Sequence, residues 1–129
     1  MWVIKSKESV WQLKLGEFVS TMLPILGSDY TEFKRVPEAE ETIYAFNEKG
    51  VHLTLDKKKR VQIISIFRQN EVTYKEVQLL GRKLEDVKRE LKQSGIETED
   101  EDVGLWIEEA GVLLIEVDEI VDGIELYKE

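Results

Sequence analysis

The chain offers little to a chemist looking for a reaction. It has one histidine, His52, and no cysteine. A lone histidine without thiolates makes a zinc site only if several carboxylates converge on it. Serines such as Ser28, Ser65 and Ser94 lie in no strand-turn-helix context of the nucleophile-elbow kind. No glycine-rich phosphate loop is present. The twenty-seven acidic residues allow many carboxylate pairs for acid–base work, and no pair is singled out. No catalytic site, cofactor site or metal site is read from the sequence.

Two charged stretches invite a ligand reading. Glu97 to Asp102, ETEDED, resembles the start of a calcium loop, with Glu99, Glu101 and Glu108 at oxygen-ligand positions. The sixth position, which needs glycine, is Asp102, and a strand pattern follows where a helix should. Lys57-Lys58-Lys59-Arg60 would suit phosphate, but no aromatic residue interleaves it. A basic hairpin tip also protects a sheet edge. Nucleic acid is not an expected partner.

The elements that must carry these residues follow from periodicity. Glu41 to Phe67 and Asp102 to Tyr127 align when Gly50 is set on Gly111. Val51 then meets Val112, Leu53 meets Leu114, and past one gap Ile64 meets Ile124 and Ile66 meets Leu126. Upstream, Leu15-Gly16 with Val19, Met22 and Leu26 matches Leu80-Gly81 with Leu84, Val87 and Leu91. Such self-similarity predicts an α+β fold of two tandem repeats, each a helix followed by a three-stranded antiparallel β-meander. The first unit spans 1–67, the second 72–129, with 68–71 as the joint, both in one compact domain. Gly16 to Leu26 should be a helix that kinks or ends at Pro24. Val72 to Leu79 reads as a strand or hairpin turning at Lys75-Glu76, and Arg82 to Ser94 as the clearest helix.

The second meander is apolar on both faces, unlike a sheet with one solvated side. If one helix covers one face, the other needs the second unit, a second copy or a partner. Trp106, Ile115, Val117, Ile124 and Leu126 are the candidates for that surface. The 28–41 segment, longer than its counterpart in the second unit, adds Tyr30 and Phe33. Asp100, Glu101, Asp102 and Glu108 supply charge beside it.

Charge sharpens the choice of partner. The chain carries −9 overall, yet residues 97–129 hold thirteen acidic side chains and one basic one. That end repels nucleic acid and anionic membrane and attracts basic proteins. No apolar run approaches the ~18 residues a membrane helix needs. The N-terminal MWVIKSKESVWQ lacks a signal-peptide apolar region, so the expected compartment is the cytoplasm.

The helix-plus-meander pattern carried by Leu15-Gly16…Leu26-Gly27…Gly50-Val51 and Leu80-Gly81…Leu91…Gly111-Val112 resembles β-lactamase inhibitor proteins and BamE-type lipoprotein domains. It also looks like small uncharacterised cytoplasmic proteins of Gram-positive bacteria, some encoded beside toxin genes. The chain departs from the first two in having no cysteine. The resemblance implies a sheet surface that binds protein. The expected function is a non-enzymatic protein-binding module, an immunity or inhibitor protein masking a basic toxin or enzyme. The alternatives are a structural homo-oligomer, with a homodimer as its simplest form, and a small-molecule or metal-binding domain.

Overall fold

A computed structural model describes residues 2–129. It is mostly β, with 45% strand and 16% helix. The N-terminal segment gives three short strands, β1 (Trp2–Ile4), β2 (Ser9–Val10) and β3 (Leu13–Lys14). A 3₁₀ turn at Val19–Thr21 leads into the four-residue helix α1 (Leu23–Leu26). Then come β4 (Thr31–Phe33), β5 (Thr42–Phe46), β6 (Val51–Leu55) and β7 (Val61–Phe67). The hairpin β8 (Val72–Tyr74) and β9 (Val77–Gln78) precedes helix α2 (Leu84–Gln93). The chain closes with β10 (Glu99–Glu101), β11 (Gly104–Ile107), β12 (Val112–Val117) and β13 (Ile120–Tyr127).

The expectation of two helix-plus-meander units is overturned. Eight strands form one continuous antiparallel sheet in the order β10-β11-β12-β13-β7-β6-β5-β4. The join is β13 against β7, with Ile124 opposite Ile66 and Leu126 opposite Ile64. Each meander also gains a fourth strand, β4 or β10, from stretches that read as loop. Apolar residues on β7 and β13 alternate in phase, so pairing them buries both at once.

What recurs across the two halves is local turn chemistry. Gly50 and Gly111 both sit at φ 65°, in the left-handed region, and each carbonyl accepts the N–H of the strand that returns beside it. Phe67 N–H donates to Gly50 at 2.9 Å and Tyr127 N–H to Gly111 at 3.2 Å. Within the second half, Lys75-Glu76 and Asp118-Glu119 each have positive φ at both residues, the backbone of a two-residue hairpin turn.

The expected first helix is also corrected. Gly16 to Leu26 yields the 3₁₀ turn and one turn of α-helix, and Pro24 lies at the start of that turn. There its missing N–H costs nothing, because the first helical donors have no partner within the helix. Pro24 opens α1 instead of ending it.

The inner face of the sheet is the core side. Tyr44, Leu53, Ile64, Leu126, Val112 and Ile107 form one row across it, and Phe46, Val51, Ile66, Ile124, Leu114 and Leu105 the next. All twelve are buried. The short strands and both helices form the covering layer. Val10, Leu13, Val19, Met22 and Leu26 pack from the N-terminal half, and Val72, Val77, Leu79, Val87 and Leu91 from the other. One cluster of buried side chains therefore runs from Ile4 to Leu126. Both sheet edges are three-residue strands, and every residue of β10 and β4 is exposed. Short edges, acidic in the case of β10, resist pairing with other chains.

Candidate functional site

Among the described residues, no helix or strand packs over the outer face of the same sheet. Register fixes its members. One row runs Thr31, Ala45, His52, Ser65, Glu125, Leu113, Trp106 and Glu99. A flanking row holds Phe33, Ile43, Thr54, Ile63 and Tyr127. The other holds Phe67, Gly123, Ile115, Gly104 and Glu101. Ile43, Ala45, Thr54 and Ser65 are buried. Phe33 and Val117 stay 41% and 50% exposed. Trp106, Leu113, Ile115, Ile63, Phe67 and Tyr127 are half-buried.

Aromatic rings organise this face. His52 lies between Phe33 and Phe67, with ring centroids 6.1 and 4.8 Å away, both edge-on. Trp106 meets Tyr127 edge-on at 6.2 Å, and its indole N–H donates to the Glu108 carboxylate. Burial lowers the His52 pKa from 6.5, which favours the neutral ring. Its Nε2 lies 3.2 Å from Asn47 Oδ1. The Tyr127 hydroxyl donates to Glu125, and its pKa is raised by burial first and by that carboxylate second. The charges that the strands place on this face are Glu99, Glu101 and Glu125. No strand contributes a lysine or arginine to it.

The structure gathers Phe33, Trp106, Ile115, Val117 and Glu101 onto the outer face, with Glu108 beside Trp106. Tyr30 is elsewhere. It stacks on Tyr44 at 4.3 Å and lies against Phe46, packed on the core side. Asp100 stands opposite Leu105 in register, on the inner side of the β10 edge, and pairs with Lys88 at 2.8 Å. Asp102 is exposed in the turn after β10. Ile124 and Leu126 are corrected outright. Both are buried in the core, because Gly123 pairs with Ile115 on the outer side and alternation then turns 124 and 126 inward. The outer residues missed by periodicity are Glu125 and Tyr127. The signal was there, since in Ile-Glu-Leu-Tyr the polar member belongs on the open side.

The charged stretches resolve without a ligand. Glu99–Glu101 is an extended strand, which sends successive carboxylates to opposite faces and cannot wrap a cation. Among the described residues no group of three or more His, Asp or Glu side chains is placed to hold a metal. In the basic turn, Asp56 Oδ1 accepts the N–H groups of Lys58 and Arg60, both at 2.9 Å. Lys57 pairs with Glu40, Lys59 reaches the Tyr44 hydroxyl at 3.3 Å, and Arg60 lies over the Phe18 ring at 4.9 Å. Three of the four cations thus have partners on the chain.

A cleft of about 410 Å³ opens beside the N-terminal strands, lined by Trp2, Trp11, Ile25, Lys49, Gln69 and Asn70 among others. Its amides are structural. Asn70 accepts from the Trp2 indole N–H and donates to the Lys49 and Gly50 carbonyls, and Gln69 donates to those of Asn47 and Glu48.

No protein-family model, curated protein or solved structure matches the chain. Among the described residues no helix is long and apolar enough to cross a membrane.

Proposed function

We propose that the outer face of the eight-stranded sheet docks a basic protein, and that the chain is a non-enzymatic masking module of the immunity or inhibitor kind. One observation carries this reading. Half-buried apolar side chains, Trp106, Leu113, Ile115, Ile63, Phe67 and Tyr127, share the face with strand-borne charges that are all carboxylates. Contiguous open apolar surface with aromatic side chains is the composition of protein contact sites. Trp106, Tyr127 and Phe67 would supply contact area, and Glu99, Glu101 and Glu125 would select a positive partner. The acidic stretch Asp100, Glu101, Asp102 beside the face would steer the approach.

The test is capture from native-host lysate by the intact chain and by an Ile115→Asp, Phe33→Asp variant, with thermal melting to confirm that both are folded. A partner of basic isoelectric point, held by the parent chain and lost by the variant, is the expected result. Equal capture by both chains, or an acidic partner, overturns the reading. Light scattering that shows self-association through Ile115 also overturns it, because the face is then occupied by a second copy. With a partner in hand, reversing Asp100, Glu101 and Asp102 to lysine should slow association by on the order of tenfold at low salt. An unchanged rate and salt dependence would remove steering from the account.

A further inference from the structure

Glu125 is the odd carboxylate of this molecule. Among the described residues, seven acidic side chains are half-buried. Four of them face a cation: Glu8 with Lys128, Asp86 with Arg89, Glu90 with Arg82, and Asp122 with Arg68. Two more, Asp56 and Glu116, accept backbone N–H groups in tight turns. Glu125 has neither. Its partners are two neutral hydroxyls, Ser65 Oγ at 3.4 Å and the Tyr127 phenol. Among the described residues no lysine or arginine nitrogen lies within 4.0 Å of it. A carboxylate offers about four acceptor sites, so roughly half of its capacity is unmet by the chain. An incoming cation would find those acceptor sites free.

Its surroundings specify which cation. Glu125 sits mid-row on the outer face, between Ser65 and Leu113, with Tyr127 and Gly123 as the next outward positions along its own strand. Ser65 and Gly123 are both buried, and the Phe67 ring packs over Gly123, 3.3 Å from where a Cβ would stand. The half-buried carboxylate is therefore edged by the half-buried rings of Phe67 and Tyr127. A guanidinium is planar, bonds a carboxylate through two parallel N–H groups and stacks on aromatic faces. A lysine ammonium meets the charge but not the stacking.

We infer that Glu125, with Tyr127 and Phe67 beside it, is the seat of an arginine side chain presented by the protein partner. This rests on the reading that the outer face docks a basic protein, and it is tested separately. The probe is acetyl-Gly-Arg-Gly-amide, titrated into the ¹⁵N-labelled full chain and followed by NMR, with the lysine and citrulline peptides as comparisons. Saturable shifts at the Trp106 indole and the Tyr127 amide are expected with the arginine peptide. Lysine should bind several-fold more weakly, and citrulline should not bind. Glu125→Gln should weaken the arginine titration about tenfold while leaving the melting temperature in place, and Glu125→Asp should recover part of the loss. Identical titrations of the parent chain and Glu125→Gln overturn the inference. So does binding that emerges only after Arg35→Ala, since the Arg35 charge already reaches Tyr127 and the chain's own arginine would then hold the seat. Should the peptide bind at Glu125 while lysate capture fails, the docking reading falls and the arginine site stands. If a captured partner ignores Glu125→Gln, the reverse holds.

Discussion

The inner and outer faces of the large sheet are built from alternate residues of the same strands, yet they obey different rules. Inward positions such as Leu53, Ile64, Leu114 and Leu126 are wholly buried, and their rows meet charge only at the edge strands, in Glu32 and Asp100. Outward positions mix half-open apolar side chains with Glu99, Glu101 and Glu125. The inner face is satisfied by the chain itself, through two helices and two hairpins. The outer face is apolar enough to favour cover and charged enough to reject indiscriminate cover.

The largest expected effect comes from an outer position that behaves as core. Gly104 stands opposite Ile115, and a Cβ there would lie 1.9 Å from the Leu114 carbonyl oxygen. No side-chain rotation relieves a collision with backbone. Gly104→Ala should force β11 from β12 and cost more than ~3 kcal/mol, read from urea unfolding. A near-neutral result would mean that this edge of the sheet gives way easily, and that the outer face is softer than its register suggests.

Adjacent residues of β12 provide the next test. Leu114 points inward and is fully buried; Leu113 points outward and is half-buried. Leu114→Ala should cost roughly 3 kcal/mol, as a cavity opens in a closed core. Leu113→Ala should cost under about 1 kcal/mol, because little area is removed from a face already open to water. Equal losses would show that the outer face is as closed as the inner one in solution, and the docking reading would lose its basis.

The sequence made parts of this comparison legible. Alternation along Val112 to Val117 told which of Leu113, Ile115 and Val117 share a face, and Gly50 and Gly111 marked the two tight returns. Helix α2 was plain from Leu84, Val87 and Leu91. Other parts depended on partners that periodicity does not name. Thr31–Phe33 and Glu99–Glu101 are strands only because β5 and β11 offer them hydrogen bonds; three polar-flanked residues carry no period of their own. The joining of β7 to β13 is a contact between residues sixty positions apart, and it turned two expected units into one sheet. Leu15 to Leu26 has helical spacing but spends it on backbone bonds to the neighbouring hairpin: Gly16 N–H donates to Val61 and Val19 N–H to Lys59. The neighbours of Glu125 come from the register alone, which places it between Ser65 and Leu113 on the outer face.

The smallest expected effect is the most specific to the outer face. His52 belongs to that face, and its pKa is lowered from 6.5 by burial among Phe33, Phe67 and Ser65, with the Asn47 amide at its Nε2. Protonation is therefore easier in the unfolded chain, which binds more protons than the native state between the two pKa values. The contribution of His52 to stability is full above pH 6.5 and declines as the pH falls through that window. Carboxylates such as Glu8, Glu90 and Glu109 are held low by their hydrogen-bond partners and lose their contribution only at more acid pH. Comparison of the urea midpoint at pH 7.5 and 5.5 should show a modest fall in the parent chain. His52→Gln should flatten it, and Phe33→Ala should flatten it partly by letting water reach the ring. NMR titration of the imidazole should give a pKa below 6.5 that moves back toward 6.5 in Phe33→Ala. A parent value at or above 6.5 would mean that Phe33 does not cover the ring, and that the first half of the outer face is as open as the second. A bound partner covering this face should push the same pKa lower still, which makes His52 a reporter of docking as well as of burial.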